Sequence, residues 1–162
     1  MKKFAASALL LAALLALAAC GGESSEEYKS DVATADIAAQ VSASLENDSL
    51  IAMDESYLTN AMQLDPAMFA DYTVMVNSKG VNIDEFGIFK APDADSVADV
   101  EAAVKCYLRL RIDTWMPEYM PEEYPKLENA EVTTCGQYVM YAILSDESAQ
   151  TAFAELETAL KA

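Results

Sequence analysis

Tyr138-Val139-Met140-Tyr141-Ala142-Ile143-Leu144 is apolar at every position. A strand with one wet face alternates apolar and polar residues, and this run offers water nothing on either side. It reads as a strand buried front and back. Either helices cover both faces of its sheet, or one face is left for a partner, and the covered version is the better fit to a chain with helices to spare. Working outward, Gly136-Gln137 is a tight turn and Val132 to Cys135 the preceding hairpin strand. Ser145 caps a helix that carries Asp146 and Glu147 in its first turn, where negative charge suits the helix dipole. Ala149, Phe153, Leu156 and Leu160 form its apolar stripe.

The same order occurs upstream. Tyr72, Val74 and Val76 alternate with Thr73, Met75 and Asn77, Ser78-Lys79-Gly80 turns the chain, and Glu85 to Lys90 is a second strand. Ser96-Val97-Ala98-Asp99 has capping-box spacing for a helix to about Met116, with Val97, Val100, Val104, Leu108 and Trp115 on one stripe, before Pro117 and Pro121 stop it. Glu122 to Leu127 reads as a further turn of helix. Before these units, Ile37, Ala38, Val41 and Leu45 recur at helical spacing behind Asp36 as N-cap, Asp54 to Leu64 is a short helix, and Asp65-Pro66 starts another turn. The expectation is an α+β fold: a small, mostly antiparallel sheet from two strand–strand–helix units, with additional N-terminal helices that cover the second face. The recurrence reads as a weak duplication of topology.

This layout resembles a family of clostridia-type Gram-positive lipoproteins known as domain of unknown function 4358. The residues that carry the likeness run from about Asp54 to Lys161. They include Ala70-Asp71-Tyr72, the stretch Val81 to Lys90, Tyr119-Met120-Pro121-Glu122-Glu123-Tyr124, Leu127-Glu128-Asn129-Ala130 and Gly136-Gln137-Tyr138-Val139. The resemblance implies a compact α+β lipoprotein and no established activity.

The N-terminus supplies an address. Lys2 and Lys3 precede an apolar run from Phe4 to Ala19, and Leu17-Ala18-Ala19-Cys20 closes it. That is the anatomy of a bacterial lipoprotein signal. The run is shorter than the roughly twenty apolar residues a membrane-spanning helix needs. The expected organisation is a signal peptide at 1–19, a lipidated Cys20 with a flexible tether to 33, and one domain over 34–162. A diacylglyceryl group on Cys20 would hold the protein on the outer face of the cell membrane, since two acyl chains give stable anchoring.

Composition narrows the chemistry. The net charge is −17, and the signal removes two lysines and no acid, so the chain that remains is more acidic still. Such a surface repels phosphate backbones, which argues against nucleic acid as a partner, and otherwise serves solubility or attracts cationic partners. The chain has no histidine. Histidine-based triads and zinc sites are excluded, and catalysis would have to rest on carboxylate, tyrosine, lysine or cysteine.

With Cys20 assigned to lipid, Cys106 and Cys135 remain. Cys106 lies about 200° round the helix from Val104, which turns it away from the core and from Cys135, so a disulfide is not expected. Asp93 and Asp95 lack the glycine and distal glutamate of a calcium loop and read as caps. Met116 and Met120 without histidine read as packing residues, and no metal or cofactor is expected.

Five residues stand out as binding candidates. Arg111 lies about 20° off the helix stripe, so it either covers the core edge or pairs with an acid on the sheet, Glu85 being the candidate; the functional reading is an anion-binding arginine in a cleft. Trp115, Tyr119 and Tyr124 belong to an acidic loop rich in Met and Pro, which either packs its rings onto the helix end or presents a recognition surface. No nucleophile motif accompanies them. The expected function is a non-catalytic binding or accessory module whose partner is an unknown envelope protein or ligand; a lipid-anchored solute receptor is a less favoured variant, because the domain is far smaller than the usual two-lobed design. The alternative is a carboxylate-based cell-wall hydrolase, which would need two acids in a deep cleft.

Overall fold

The computed structural model describes residues 27–116 and 118–162. The signal, Cys20 and the first part of the tether, to residue 26, lie outside the described residues. The elements are α1 (Thr34–Ser44), β1 (Leu50–Ala52), α2 (Glu55–Asn60), β2 (Asp71–Asn77), β3 (Glu85–Lys90), α3 (Val97–Asp113), α4 (Tyr124–Glu128), β4 (Glu131–Cys135), β5 (Tyr138–Ile143) and α5 (Asp146–Leu160), with a 3-10 turn at Pro66–Met68. The strands form one antiparallel sheet in the order β1-β2-β3-β5-β4. The fold is α+β.

β5 lies inside the sheet and is buried along its whole length. Its odd-numbered residues Val139, Tyr141 and Ile143 join Val74, Phe89, Val100, Val104 and Tyr107 in a core beneath α3. Its even-numbered residues Tyr138, Met140 and Ala142 join Phe86, Ile88, Ile37, Val41, Leu156 and Leu160 in a second core under α1 and α5. The period of two thus feeds two cores from one strand.

The distribution of the helices departs from expectation. The two N-terminal helices do not share a face: α1 packs with α5, whereas Leu58 of α2 joins the α3 core. The strand–strand–helix order does recur, as β2-β3-α3 and β4-β5-α5, but the two units are not related by symmetry. Antiparallel β3 and β5 can be exchanged only by a two-fold axis through the sheet, which keeps each helix on its own side. Yet α3 and α5 lie on opposite faces. β1, which the sequence reading omits, is a three-residue edge strand fastened to β2, with Leu50 facing Asn77.

Two helix starts are built differently from the local signals. Asp36 sits inside the first turn of α1, and the cap comes from the sheet: Asp71 Oδ2 accepts from the Thr34 amide at 2.8 Å, while the Thr34 and Thr73 hydroxyls lie 2.9 Å apart. Ser96 makes no side-chain cap on α3. Asp93 Oδ1 accepts from its amide at 2.8 Å and its hydroxyl at 2.6 Å. At α5 the expected cap is present, with Ser145 Oγ accepting from the Ser148 amide.

Cys106 is exposed on α3 and Cys135 is buried in the opposite core, and no disulfide joins them. Residues placed in the tether already touch the domain: Lys29 donates its amide to Leu160 O, and Tyr138 donates its hydroxyl to Val32 O at 2.6 Å. Among the described residues, no helix is long and apolar enough to cross a membrane.

Candidate functional site

Glu85 is the first residue of β3 and is 1% exposed. Strand alternation puts it on the same face as Gly87 and Phe89, toward α3. Burying a carboxylate there is costly unless it is paired and hydrogen-bonded. Four side chains from three elements meet the cost. Tyr107 of α3 and Tyr141 of β5 each donate a hydroxyl to Oε1 at 2.5 Å. Arg111 of α3 donates to Oε2 at 2.5 Å, and Tyr57 of α2 to the same oxygen at 3.3 Å. Arg111 also donates to the Tyr107 hydroxyl at 2.7 Å.

Each position follows from spacing. Tyr107 and Arg111 are four residues apart, one turn along the same helix face. Tyr141 stands across from Gly87 in the β3–β5 ladder, which brings its hydroxyl level with Glu85. Burial, then the Glu85 charge, raises the pKa of Tyr107, Tyr141 and Tyr57 above the ordinary tyrosine value. Burial works against the Arg111 charge, but the Glu85 carboxylate and the Tyr107 hydroxyl outweigh it, and its pKa is raised. The tyrosines therefore stay protonated as donors and the arginine stays cationic.

Arg111 and Glu85 are thus brought together as an ion pair. The sequence reading missed the three tyrosines. The signal for Tyr107 was its place one turn before Arg111, and that for Tyr141 was its place on the face of β5 that meets α3.

Trp115, Tyr119 and Tyr124 lie beyond the end of α3 and gather round one another. Trp115 packs on Tyr119 with centroids 6.1 Å apart and on Tyr124 at 6.0 Å. With Ile112 and Pro121, Trp115 and Tyr124 line a groove of about 300 Å3. Met116 and Tyr119 remain exposed. Below the loop, Lys126 Nζ bonds Asp84 and Glu123 at 2.8 Å each, and Glu123 also accepts the Ile83 amide, which ties α4 to the turn before β3. A second groove, of about 470 Å3, is lined by Ala52, Met53, Asp54, Ser56, Tyr57, Asn60 and Ala61. Among the described residues, no group of three acids or cysteines is placed to hold a metal.

The family model described as domain of unknown function, DUF4358, matches residues 43–144. The chain belongs to the DUF4358 family. The matched segment runs from the end of α1 through β5, so it contains Glu85, all four of its donors and the whole aromatic loop, and leaves out most of α1 and all of α5. No curated protein and no solved structure matches the chain.

Proposed function

We propose that this DUF4358 protein is a lipid-anchored module on the outer face of the cell membrane, held by a diacylglyceryl group on Cys20, and that it works by binding an envelope protein or ligand through its aromatic loop. The observation that carries the reading is the contrast between two neighbouring features of α3. The buried ionisable cluster spends its donors on Glu85 and so serves the fold, while the aromatic groove one turn further on opens to solvent. Exposed aromatic and Met side chains gathered at one spot are what protein-recognition surfaces are made of.

The hydrolase alternative finds less support. A pair of catalytic acids needs one carboxyl with a raised pKa facing a cleft. The two grooves contribute one carboxylate between them, Asp54, and hydrogen bonds from Ser56 and the Tyr57 amide hold it below its ordinary value. The test compares the full chain with a Tyr119→Ala, Tyr124→Ala variant by cross-linking in intact envelopes and by incubation with purified cell wall. A cross-linked species lost in the variant is expected. Release of soluble wall fragments that stops with Asp54→Asn would overturn the binding reading.

A further inference from the structure

The exposed charge flanking the groove between Ile112, Trp115, Pro121 and Tyr124 is mostly negative. Of the cations near the groove in the chain, Arg111 is committed to Glu85 and Lys126 to Asp84 and Glu123, which leaves Arg109, one turn before Ile112, as an exposed positive charge beside it. The acids flanking its lining residues are not committed. Asp113 follows Ile112, Glu122 follows Pro121, and Glu118 lies between; all three are exposed and make no ion pair among the described residues. The outward field of the loop is therefore negative, on a chain whose net charge is −17. Aromatic faces are themselves electron-rich and attract cations, lysine and arginine above all.

We propose that this groove docks a basic segment of a partner protein, with an apolar side chain in the slot and adjacent lysine or arginine side chains over the rings and among Asp113, Glu118 and Glu122. An acidic segment would be repelled by the same rim. An uncharged apolar segment would leave the rim unused. The proposal rests on the reading of the domain as a binding module and names the chemistry of its partner.

Trp115 is the only tryptophan in the chain, so its fluorescence reports on the groove directly. The full chain in mild detergent is titrated with the peptide acetyl-KLKPLK-amide and with its acidic counterpart acetyl-ELEPLE-amide. A saturable change in Trp115 emission is expected with the basic peptide, at an affinity at least about tenfold above the acidic one and weakened several-fold by about 0.5 M salt. Glu118→Lys with Glu122→Lys, both at exposed positions, should weaken it at least about fivefold while circular dichroism stays unchanged. Equal response to both peptides, or no saturable response, overturns the proposal. If the basic peptide fails while envelope cross-linking still depends on Tyr119 and Tyr124, only the partner's charge is wrong; if both fail, the binding reading falls with it.

Discussion

Tyr141 faces Gly87 across the β3–β5 ladder, and its ring occupies the space that a β-carbon on residue 87 would need. The glycine is there for packing: its backbone is ordinary strand, and a methyl group would collide with Tyr141 Cε1 and come within 3.0 Å of Phe89 Cε2. Gly87→Ala should therefore cost about 2 kcal/mol by overpacking. Chemical denaturation checks it, and Tyr141→Leu in the same chain should recover part of the loss that Gly87→Ala causes. A neutral Gly87→Ala would mean that the ring does not lie over residue 87.

The Glu85–Arg111 pair should show strong coupling. Each partner alone leaves buried groups unmatched: Glu85→Leu strands three tyrosine hydroxyls and a cation, and Arg111→Leu strands a carboxylate. Single variants should lose about 3 kcal/mol each, with Arg111→Leu the worse because it leaves the Glu85 charge buried without its cation, whereas the Arg111 left by Glu85→Leu is partly exposed and can turn to water. The double variant should lose clearly less than the two singles added together. Additivity in urea unfolding would show that the two side chains do not meet.

Alkali should unfold the domain through its tyrosines. Tyr107, Tyr141 and Tyr57 have folded pKa values above the ordinary 10.0, first through burial and then through the Glu85 charge. Above pH 10 the unfolded chain releases these protons and the folded chain keeps them, so the unfolded state binds fewer and stability falls as pH rises. The contribution is complete below pH 10 and is lost progressively above it. The melting temperature should drop steeply above that pH. Absorbance near 295 nm should show a set of tyrosines that ionise only as the circular dichroism signal is lost. Smooth ionisation of all eight tyrosines before unfolding would contradict the buried cluster.

How far the sequence reading reaches depends on where the controlling contact lies. β3 and β5 were legible because their apolar pattern is local, and so were Asp65 and Ser145 as helix caps, each bonding an amide two or three residues on. The cap of α1 was not, because Asp71 reaches Thr34 from the sheet, 37 residues away. β1 was not, because three residues carry too little pattern and its pairing with β2 is tertiary. In the site, a partner for Arg111 on the sheet was readable from the helix stripe. That three tyrosines would converge on the same carboxylate was not, since it depends on which face of the sheet α3 covers.

Thiol reactivity separates the two faces. Cys106 is exposed and Cys135 is buried, so a thiol reagent should modify Cys106 in the folded protein and reach Cys135 only after denaturation. Reducing agent should leave the melting temperature unchanged. A shift on reduction would mean that the two cysteines are joined after all.

The proposed location rests on Cys20, whose thiol, unlike a serine hydroxyl, can form a thioether to a diacylglyceryl group. The most direct measurement is mass spectrometry of the mature N-terminus, purified from membranes of cells making the full chain or Cys20→Ser. The account predicts a wild-type chain that begins at acylated Cys20 and partitions into detergent, and a Cys20→Ser chain that stays unlipidated with its leader attached. A wild-type protein that begins at any other residue, or that carries no acyl mass and stays in the aqueous phase, would contradict it.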